Sequence, residues 1–332
     1  MNLNPFTVAI YRGTHQESVH KVCAVITTQN KNLQKITSYG DSNNSVFPRS
    51  CLKPIQALPM FSTGAFQAFN TSQSELALAC ASHRGEDTHI EVVKKWLTRI
   101  GLDESDLECG THPPSHPESL YQLYYNHEKP CALHNNCSGK HTGMLMTAIH
   151  CKESLKGYTR FDHPIQQRII KFIESYSGFK FKLQDFGIDG CSIPAPILPL
   201  QNISQAFSQF AIFDNPKFSD IENEWRKIIF NAFVNNPLLT SGTLSYCTDI
   251  MKLATTPILV KGGAEGIMIA AIPDSKTGIA IKTIDGNSRA TEVVMSHLLM
   301  QMGYLPSGGN NFLEPILKNW SEIETGTIKL II

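Results

Sequence analysis

Hydrophobic and polar residues alternate over the first forty positions of the chain. The runs FTVAIYRG, KVCAVITTQ and KITSYGD are rich in β-branched and aromatic residues, and polar stretches such as QNKN separate them. Alternation of this kind is typical of strands that bury one face. The pattern predicts an antiparallel meander at the amino end, with a hairpin turn at QNKN.

Beyond residue 50 the spacing of the hydrophobic positions lengthens to that of a helix. In IEVVKKWLTRIGL the apolar residues recur every three or four positions. Thr88 and Glu91 form a capping-box pattern ahead of this run, and Gly101 is suited to end it. The pattern predicts a largely helical region from about 50 to 180.

The carboxy third returns to short apolar runs, in TTPILVKGG, EGIMIAAIPD and GIAIKTID, with turn residues in DSKTG. An amphipathic helix follows in NSRATEVVMSHLLMQMGY, with Asn287 or Ser288 as its cap. We therefore expect an α/β (α+β) fold in which both termini build one antiparallel sheet and the helices pack against it. The prediction is one domain, residues 1–332, with sheet-forming parts at about 5–48 and 185–305.

Composition narrows the class of partner. Of 332 residues 42% are hydrophobic, and 29 basic residues balance 29 acidic ones, so no broad field attracts nucleic acid or an anionic membrane. No basic segment followed by a long apolar run opens the chain, which favours a cytoplasmic protein with a small-molecule substrate. Nine cysteines, an odd number spread along the chain, are expected to be reduced thiols.

A candidate nucleophile lies in FPRSCLKPIQ, where Ser50 precedes Lys53 by three residues. Pro48 interrupts the chain just before it, and Pro54 falls in a first helical turn, where proline is tolerated. Residues three apart share one face of a helix, so Lys53 can reach the Ser50 hydroxyl and act as its base. Because Ser-x-x-Lys occurs three times in this chain, an N-cap serine with a surface lysine is the alternative interpretation.

Two later segments supply a second serine and a second lysine. Ser82 lies in LACASHRGEDTH, where an apolar run gives way to a loop, and Lys261 ends a strand beside two glycines in ILVKGGAEG. Taken separately, they are more often a turn serine and a surface lysine. Their order after Ser50 and Lys53 is that of serine hydrolases of the penicillin-binding and β-lactamase type. Two lysines in one pocket lower each other's pKa, and an uncharged amine can serve as base in forming an acyl-enzyme.

The segment HNNCSGKHTGML superficially resembles a phosphate loop, but the required glycine and hydroxyl positions hold His134 and His141. Cys137 in this segment and Cys191 in FGIDGCSIPAPILPL are possible zinc ligands. There is no Cys-x-x-Cys pair, and about fifty residues separate the two segments. Spacing alone therefore favours buried, reduced cysteines over a metal site.

Five segments, taken together and in order, resemble the sequence blocks of the Rhizobium etli-type, or type III, L-asparaginases. They are FPRSCLKPIQ, ASHRGEDTH, NNCSGKHTGML, DGCSIPAPILPL and VKGGAEG. The resemblance implies a fold like that of serine β-lactamases and glutaminases. It also implies hydrolysis of L-asparagine to L-aspartate and ammonia by a homodimer.

The resemblance implies roles for individual residues as well. The implied set is catalytic Ser50, Lys53, Ser82 and Lys261, substrate-binding Arg49, Asp189 and His141, and zinc-binding Cys137, Lys140 and Cys191. Ser50 would be the nucleophile, and zinc would position the substrate rather than supply the attacking group. Lysine is an uncommon zinc ligand, so the resemblance reverses the interpretation from spacing alone. Cys247 lies in a family motif without an assigned role, and a basic residue common near Ser245 in the family is missing.

Three other interpretations remain open at this point. The metal could be catalytic, holding an activated water between Cys137, Cys191 and Asp189. The chain could be a β-lactamase-like or peptide-amide hydrolase, or a non-catalytic amino-acid sensor on the same fold. The choice between asparagine and glutamine also stays open, because a pocket admits or rejects one methylene for only about 1–3 kcal/mol.

Overall fold

A computed structural model describes residues 2–30, 33–306 and 310–331. Its strands are β1 (Asn2–Leu3), β2 (Phe6–Arg12), β3 (His15–Asn30), β4 (Leu33–Tyr39), β5 (Ser45–Val46), β6 (Phe186–Ile188), β7 (Pro194–Pro196), β8 (Leu198–Pro199), β9 (Leu259–Gly263), β10 (Ile267–Ile272), β11 (Thr277–Thr283), β12 (Ile316–Lys318) and β13 (Glu324–Ile331). Its helices are α1 (Lys53–Gln56), α2 (Leu58–Ser62), α3 (Ala65–Ala68), α4 (Gln73–Ala79), α5 (Asp87–Arg99), α6 (Pro117–Tyr125), α7 (Ser138–Cys151), α8 (Pro164–Ser177), α9 (Leu200–Phe210), α10 (Asp220–Val234), α11 (Pro237–Ser241), α12 (Tyr246–Leu253), α13 (Ser288–Gln301) and α14 (Asn310–Leu313).

Strands from both ends of the chain share one sheet. Within the described residues its order is β12-β13-β2-β3-β11-β10-β9, with β4 also on β3 and β1 on β4. The central pairings are antiparallel, and β3 joins the two halves by pairing with β2 on one side and β11 on the other. This confirms the predicted mixed fold with an antiparallel sheet built from both termini.

The strands β10 and β11 explain why the carboxy third shows little alternation. All six residues of β10, IMIAAI, are buried, and so are six of the seven of β11. The helices α9 and α13 pack against these central strands. A strand that is covered on both faces has a continuous apolar sequence, without the alternation of apolar and polar residues seen in a half-exposed strand.

The helical middle packs closely enough to bring distant loops together. A Cβ on Gly139, in α7, would lie 2.5 Å from the Leu78 carbonyl oxygen in α4. Only glycine allows the two helices to approach so closely. As a result, the start of α7 lies beside the loop that follows α4.

Several local predictions can be compared with the structure. The hairpin at 273–276 joins β10 to β11, and the Asn287 side chain caps α13 by accepting from Arg289 N at 3.0 Å. The helix predicted from Thr88 begins one residue earlier, at Asp87. Its amino end is capped by His89 Nδ1, which accepts from Glu86 N at 3.1 Å. The imidazole thus replaces the predicted Thr88–Glu91 box. The turn predicted at QNKN includes Lys31 and Asn32, which lie outside the described residues.

The last strand of the sheet was missed by the sequence analysis. Glu324–Ile331 pairs antiparallel with β2 and extends the sheet beyond the predicted limit of about residue 305. Half of its eight residues, ETGTIKLI, are the β-branched threonine and isoleucine that are common in strands.

Candidate active site

A cavity of about 380 Å³ lies where the helical middle meets β9, the terminal strand of the sheet. Its lining residues are Arg49, Ser50, Ser82, His112, Asn135, Asn136, Cys137, Asp189, Gly190, Cys191, Gly262, Gly263 and Ala264. Segments that are far apart in the sequence therefore converge on one cavity.

Ser50 stands on a 3-10 turn, Arg49–Leu52, immediately before α1. Arg49 adopts a left-handed backbone with φ of 49°, which is uncommon for a residue other than glycine. The Ser50 hydroxyl has no hydrogen-bond partner among the described residues, although the residue lines the cavity. The turn is held against β9 because Cys51 Sγ donates to the Lys261 carbonyl at 3.3 Å.

The Ser82 hydroxyl lies between two lysine amines. Ser82 Oγ is 2.9 Å from Lys53 Nζ and 2.7 Å from Lys261 Nζ. The loop that carries Ser82 is anchored by its own amide, which donates to the Thr240 carbonyl at 3.0 Å. The structure thus brings together three of the four predicted catalytic residues by direct contact, and the fourth, Ser50, lines the same cavity.

The partner of Lys53 differs from the one expected. The Ser-x-x-Lys spacing predicts Ser50 as the partner of this amine, whereas in the structure it faces Ser82, the Ala81 carbonyl and the Asn136 carbonyl. Three acceptors match the three N–H groups of an ammonium. Two of them are peptide carbonyls, whose direction no side-chain pattern reveals.

Both amines are removed from water, with exposures of 1% for Lys53 and 2% for Lys261. Burial and the neighbouring Lys53 cation lower the pKa of Lys261 to about 8, from its ordinary value of 10.5. Burial and a like charge both disfavour the ammonium form. Lys261 is therefore suited to accept a proton near neutral pH.

A charged pair lies at another part of the cavity wall. Arg49 Nε donates to Asp189 Oδ1 at 2.6 Å, and Gly190 N donates to the same oxygen at 2.7 Å. Burial tends to raise the pKa of Asp189, but the Lys140 and Arg49 charges outweigh it and hold the pKa below its usual value. One cation and one anion thus lie side by side, which suits a zwitterionic ligand.

Two thiols and a third lysine form a cluster beside this pair. Cys137 precedes α7, Lys140 lies in its first turn, and Cys191 lies in the turn between β6 and β7. Lys140 Nζ donates to Cys191 Sγ at 3.0 Å. A hydrogen bond from Cys191 lowers the pKa of Cys137. Burial works against the Lys140 ammonium, but the Cys137 and Cys191 sulfurs outweigh burial and raise its pKa.

The cluster fits a zinc ion by its chemistry, since two sulfurs and an amine nitrogen converge on one point. Among the residues that the structure describes, no group of three or more histidine, cysteine, aspartate or glutamate residues could hold a metal ion. A zinc site here would depend on Lys140 as the third ligand.

His141 and Cys247, which belong to the predicted motifs, do not line the cavity. His141 is fully buried in α7, and its Nδ1 lies 2.7 Å from the Tyr158 hydroxyl. Cys247 lies behind β9, against Gly262, and burial raises the pKa of its thiol. Conversely, the sequence analysis did not single out His112, Asn135 or Asn136, although the two asparagines belong to the NNCSGKH segment.

The model of the family described as L-asparaginase II matches residues 8–330. The chain belongs to the L-asparaginase II family. This confirms the family proposed from the five sequence segments, and an amidohydrolase acting on linear amides agrees with it. No curated protein matches the chain.

Several solved structures resemble this member of the L-asparaginase II family more distantly. An Mglu crystal structure is 11% identical with a TM-score of 0.50, and the match covers 85% of this chain and 67% of Mglu. Native Mglu in 4.3 M NaCl is also 11% identical, with a TM-score of 0.48, and the match covers 86% of this chain and 61% of that one. A probable Bacillus subtilis glutaminase complexed with 6-diazo-5-oxo-L-norleucine is 12% identical with a TM-score of 0.41, covering 86% and 84%. The first of these shows a shared fold and nothing about activity.

Within the described residues, no helix combines the length and the apolar character needed to span a bilayer.

Proposed function

We propose that this protein is an L-asparaginase that hydrolyses L-asparagine to L-aspartate and ammonia through an acyl-enzyme formed on Ser50. The observation that carries the proposal is the Ser82 hydroxyl held between the amines of Lys53 and Lys261, in a cavity that Ser50 also lines. Membership of the L-asparaginase II family supports the choice of substrate class.

The charged pair recognises the amino-acid part of the substrate. The α-carboxylate binds the Arg49 guanidinium, and the α-ammonium binds the Asp189 carboxylate, which stays ionised beside its cations. These contacts leave the side-chain amide to extend toward the two serines. Binding at both charged groups orients the amide for attack, which is a large part of the rate advantage of an enzyme.

The chemistry is an acyl transfer with a proton relay. Ser50 Oγ attacks the side-chain carbonyl carbon. As the Lys53 ammonium takes the Ser50 proton it gives one of its own to Ser82, and the Ser82 hydroxyl proton passes to the uncharged Lys261 amine. As the C–N bond breaks, the relay returns a proton to the leaving nitrogen, and ammonia departs. Water then attacks the aspartyl ester and restores the Ser50 hydroxyl. Backbone amides near Ser50 or on β9 would stabilise the oxyanion.

We also propose a zinc ion held by Cys137, Lys140 and Cys191, with Asp189 nearby. When bound, it would supply positive charge that helps to orient the substrate. The protein's own side chains carry out the proton transfers. A homodimer in the cytoplasm is part of the same proposal, and sedimentation of the purified protein tests the assembly.

The test is ammonia release from asparagine and from glutamine by the wild type and by the Ser50→Ala and Ser82→Ala variants. The wild type should release ammonia from asparagine, Ser50→Ala should lose nearly all turnover, and Ser82→Ala should lose about 10²- to 10⁴-fold. Mass spectrometry of the quenched enzyme should place the acyl group on the Ser50 peptide.

Several outcomes would overturn parts of this proposal. Wild-type turnover by Ser50→Ala would remove Ser50 as nucleophile, and an acyl group on the Ser82 peptide would transfer the role there. Acylation by a β-lactam with no ammonia released from asparagine would indicate a β-lactamase-like enzyme. Binding of asparagine without any turnover would indicate a sensor.

A further inference from the structure

His112 lies in the cavity wall and contacts the turn that holds Lys53. His112 Nε2 accepts a hydrogen bond from the Asn136 amide at 2.9 Å. The Asn136 carbonyl in turn accepts from Lys53 Nζ at 3.3 Å. One residue, Asn136, therefore connects the imidazole to the amine.

The hydrogen-bond partners determine which form of the ring is present. His112 Nδ1 lies 2.7 Å from the Pro113 carbonyl oxygen, which can only accept, so Nδ1 carries the hydrogen. Nε2 is then the bare nitrogen and can accept from the Asn136 amide. An imidazolium would place a second N–H against that amide, so the observed contact requires the uncharged ring.

The segment that carries His112 is fixed to the loop that carries Ser82. Ser115 N donates to the Arg84 carbonyl at 3.0 Å, and Arg84 Nη2 donates to the Ser115 carbonyl at 2.7 Å. A Cβ on Gly85 would lie 3.1 Å from Pro114 Cα, so the two segments are in close contact. His112 thus bridges the Ser82 loop and the Asn136 turn.

The other end of the turn is held independently of His112. Asn135 Nδ2 donates to the Cys109 and Gly110 carbonyls at 2.8 and 3.0 Å, and Asn135 Oδ1 accepts from Cys137 N at 2.9 Å. The peptide whose N–H contacts His112 has a second anchor, because the Asn135 carbonyl accepts from Ser138 N at 2.9 Å. Loss of His112 removes one of these anchors, so Asn136 should shift without the turn being dismantled.

We propose that His112 is a positioning residue for Lys53: its ring accepts from the Asn136 amide and, together with Asn135, holds Asn136 where its carbonyl keeps the Lys53 amine turned toward Ser82. The role in turnover rests on the proposed amide hydrolysis, whereas the effect on the Lys53 amine does not. His112 acts through Asn136 and takes no proton from the substrate.

The test compares His112→Gln with His112→Leu. The glutamine side chain can place an oxygen near the position of Nε2 and accept from the Asn136 amide, whereas leucine is apolar and cannot. His116→Leu is the matched control, since His116 belongs to the same loop but caps α6 by accepting from Ser119 N at 3.3 Å. Thermal unfolding of all three variants reports on folding.

We expect His112→Leu to lower kcat for asparagine about tenfold to 100-fold with little change in KM, because Lys53 is misplaced rather than the substrate. His112→Gln should recover most of the lost kcat, and His116→Leu should not reproduce the loss. Crystal structures should show the Lys53 amine displaced from the Asn136 carbonyl in the leucine variant but not in the glutamine variant.

Equal kcat values for the glutamine and leucine variants would overturn the proposal, as would a rise in KM alone, which would make His112 a substrate contact. If the wild type hydrolyses no amide, the proposed function fails, and the crystal structures decide the inference alone. An unmoved Lys53 amine in His112→Leu would then overturn it, and a displaced one would support it.

Discussion

Lys261 and Lys140 are both buried beside the same cavity, yet their pKa values shift in opposite directions. Lys261 faces another cation, Lys53, and its pKa falls to about 8. Lys140 faces the Cys137 and Cys191 sulfurs, and its pKa rises although burial opposes its charge. Burial lowers the pKa of both amines. The Lys53 cation adds to this effect at Lys261, whereas the two sulfurs reverse it at Lys140.

The two lysines are suited to different tasks. An uncharged amine beside a hydroxyl can take a proton, so the Lys53–Ser82–Lys261 group is suited to chemistry. A charged amine beside two thiols stabilises negative charge on sulfur, so the Cys137–Lys140–Cys191 group is suited to orienting a ligand. Lys140 would have to release its proton to bind a metal. The following predictions test whether the two groups are separate in this way.

The largest expected difference comes from removing each amine. Lys261→Met should lower kcat for asparagine about 10²- to 10⁴-fold, because the proton acceptor is lost. Lys140→Met should mainly raise KM. Lys252→Met, which changes an exposed lysine on α12, is the control. Steady-state ammonia release measures all three, and equal losses of kcat in Lys261→Met and Lys140→Met would abolish the distinction.

Chelation should act on the thiol cluster only. Removing bound zinc should weaken asparagine binding, since the metal is proposed to orient the substrate, and most of kcat should remain at saturating substrate. Kinetics before and after dialysis against a chelator, with zinc added back, measure this. Complete loss of turnover with asparagine binding and folding intact would instead make the metal catalytic.

The pH dependence should follow Lys261. Its pKa is lowered and its uncharged form is required, so kcat/KM for asparagine should rise with pH with a midpoint near the value of about 8. Stability has the same sign: between about 8 and 10.5 the unfolded chain binds more protons at this lysine, so folding should become more favourable as pH rises. A rate that is constant or falls between pH 6 and 9 would contradict the assignment of Lys261 as acceptor.

The smallest effects should come from the two glycines that bring the groups together. A Cβ on Gly139 would lie 2.5 Å from the Leu78 carbonyl, which is backbone, whereas one on Gly263 would lie 2.6 Å from a methyl group of Ile267. Both alanine variants should lose about 1–3 kcal/mol of unfolding free energy, with Gly139→Ala the less stable. Urea unfolding measures both, and unchanged stability in either would show that its helix or strand can shift.

The Ser-Lys order and the strand pattern could be predicted from the sequence, because both depend on residue types at fixed spacing. Ser50, Ser82 and Lys261 were identified in this way, and all three lie at one site. The actual partners of Lys53 could not be predicted, since the Ala81 and Asn136 carbonyls belong to the backbone and carry no side-chain signal. Their direction depends on how two distant loops pack.

Neither the thiol cluster nor the carboxy-terminal strand was predicted from residue pattern alone, for different reasons. Lysine is a rare kind of zinc ligand, so only the family resemblance pointed to Lys140. The strand Glu324–Ile331 is rich in β-branched residues, as strands are, but its pairing with β2 joins opposite ends of the chain. Local pattern predicts that a strand forms and leaves its neighbour in the sheet undetermined.

The central claim is that burial and the cation at Lys53 lower the pKa of Lys261 enough to give it a usable uncharged fraction near neutral pH. Titration of the Lys261 amine by NMR of isotope-labelled lysine, in the wild type and in Lys53→Met, tests it directly. The account predicts a pKa near 8 in the wild type and a higher value once the neighbouring charge is removed. A wild-type Lys261 that titrates at the ordinary lysine value, or one that does not respond to Lys53→Met, would contradict it.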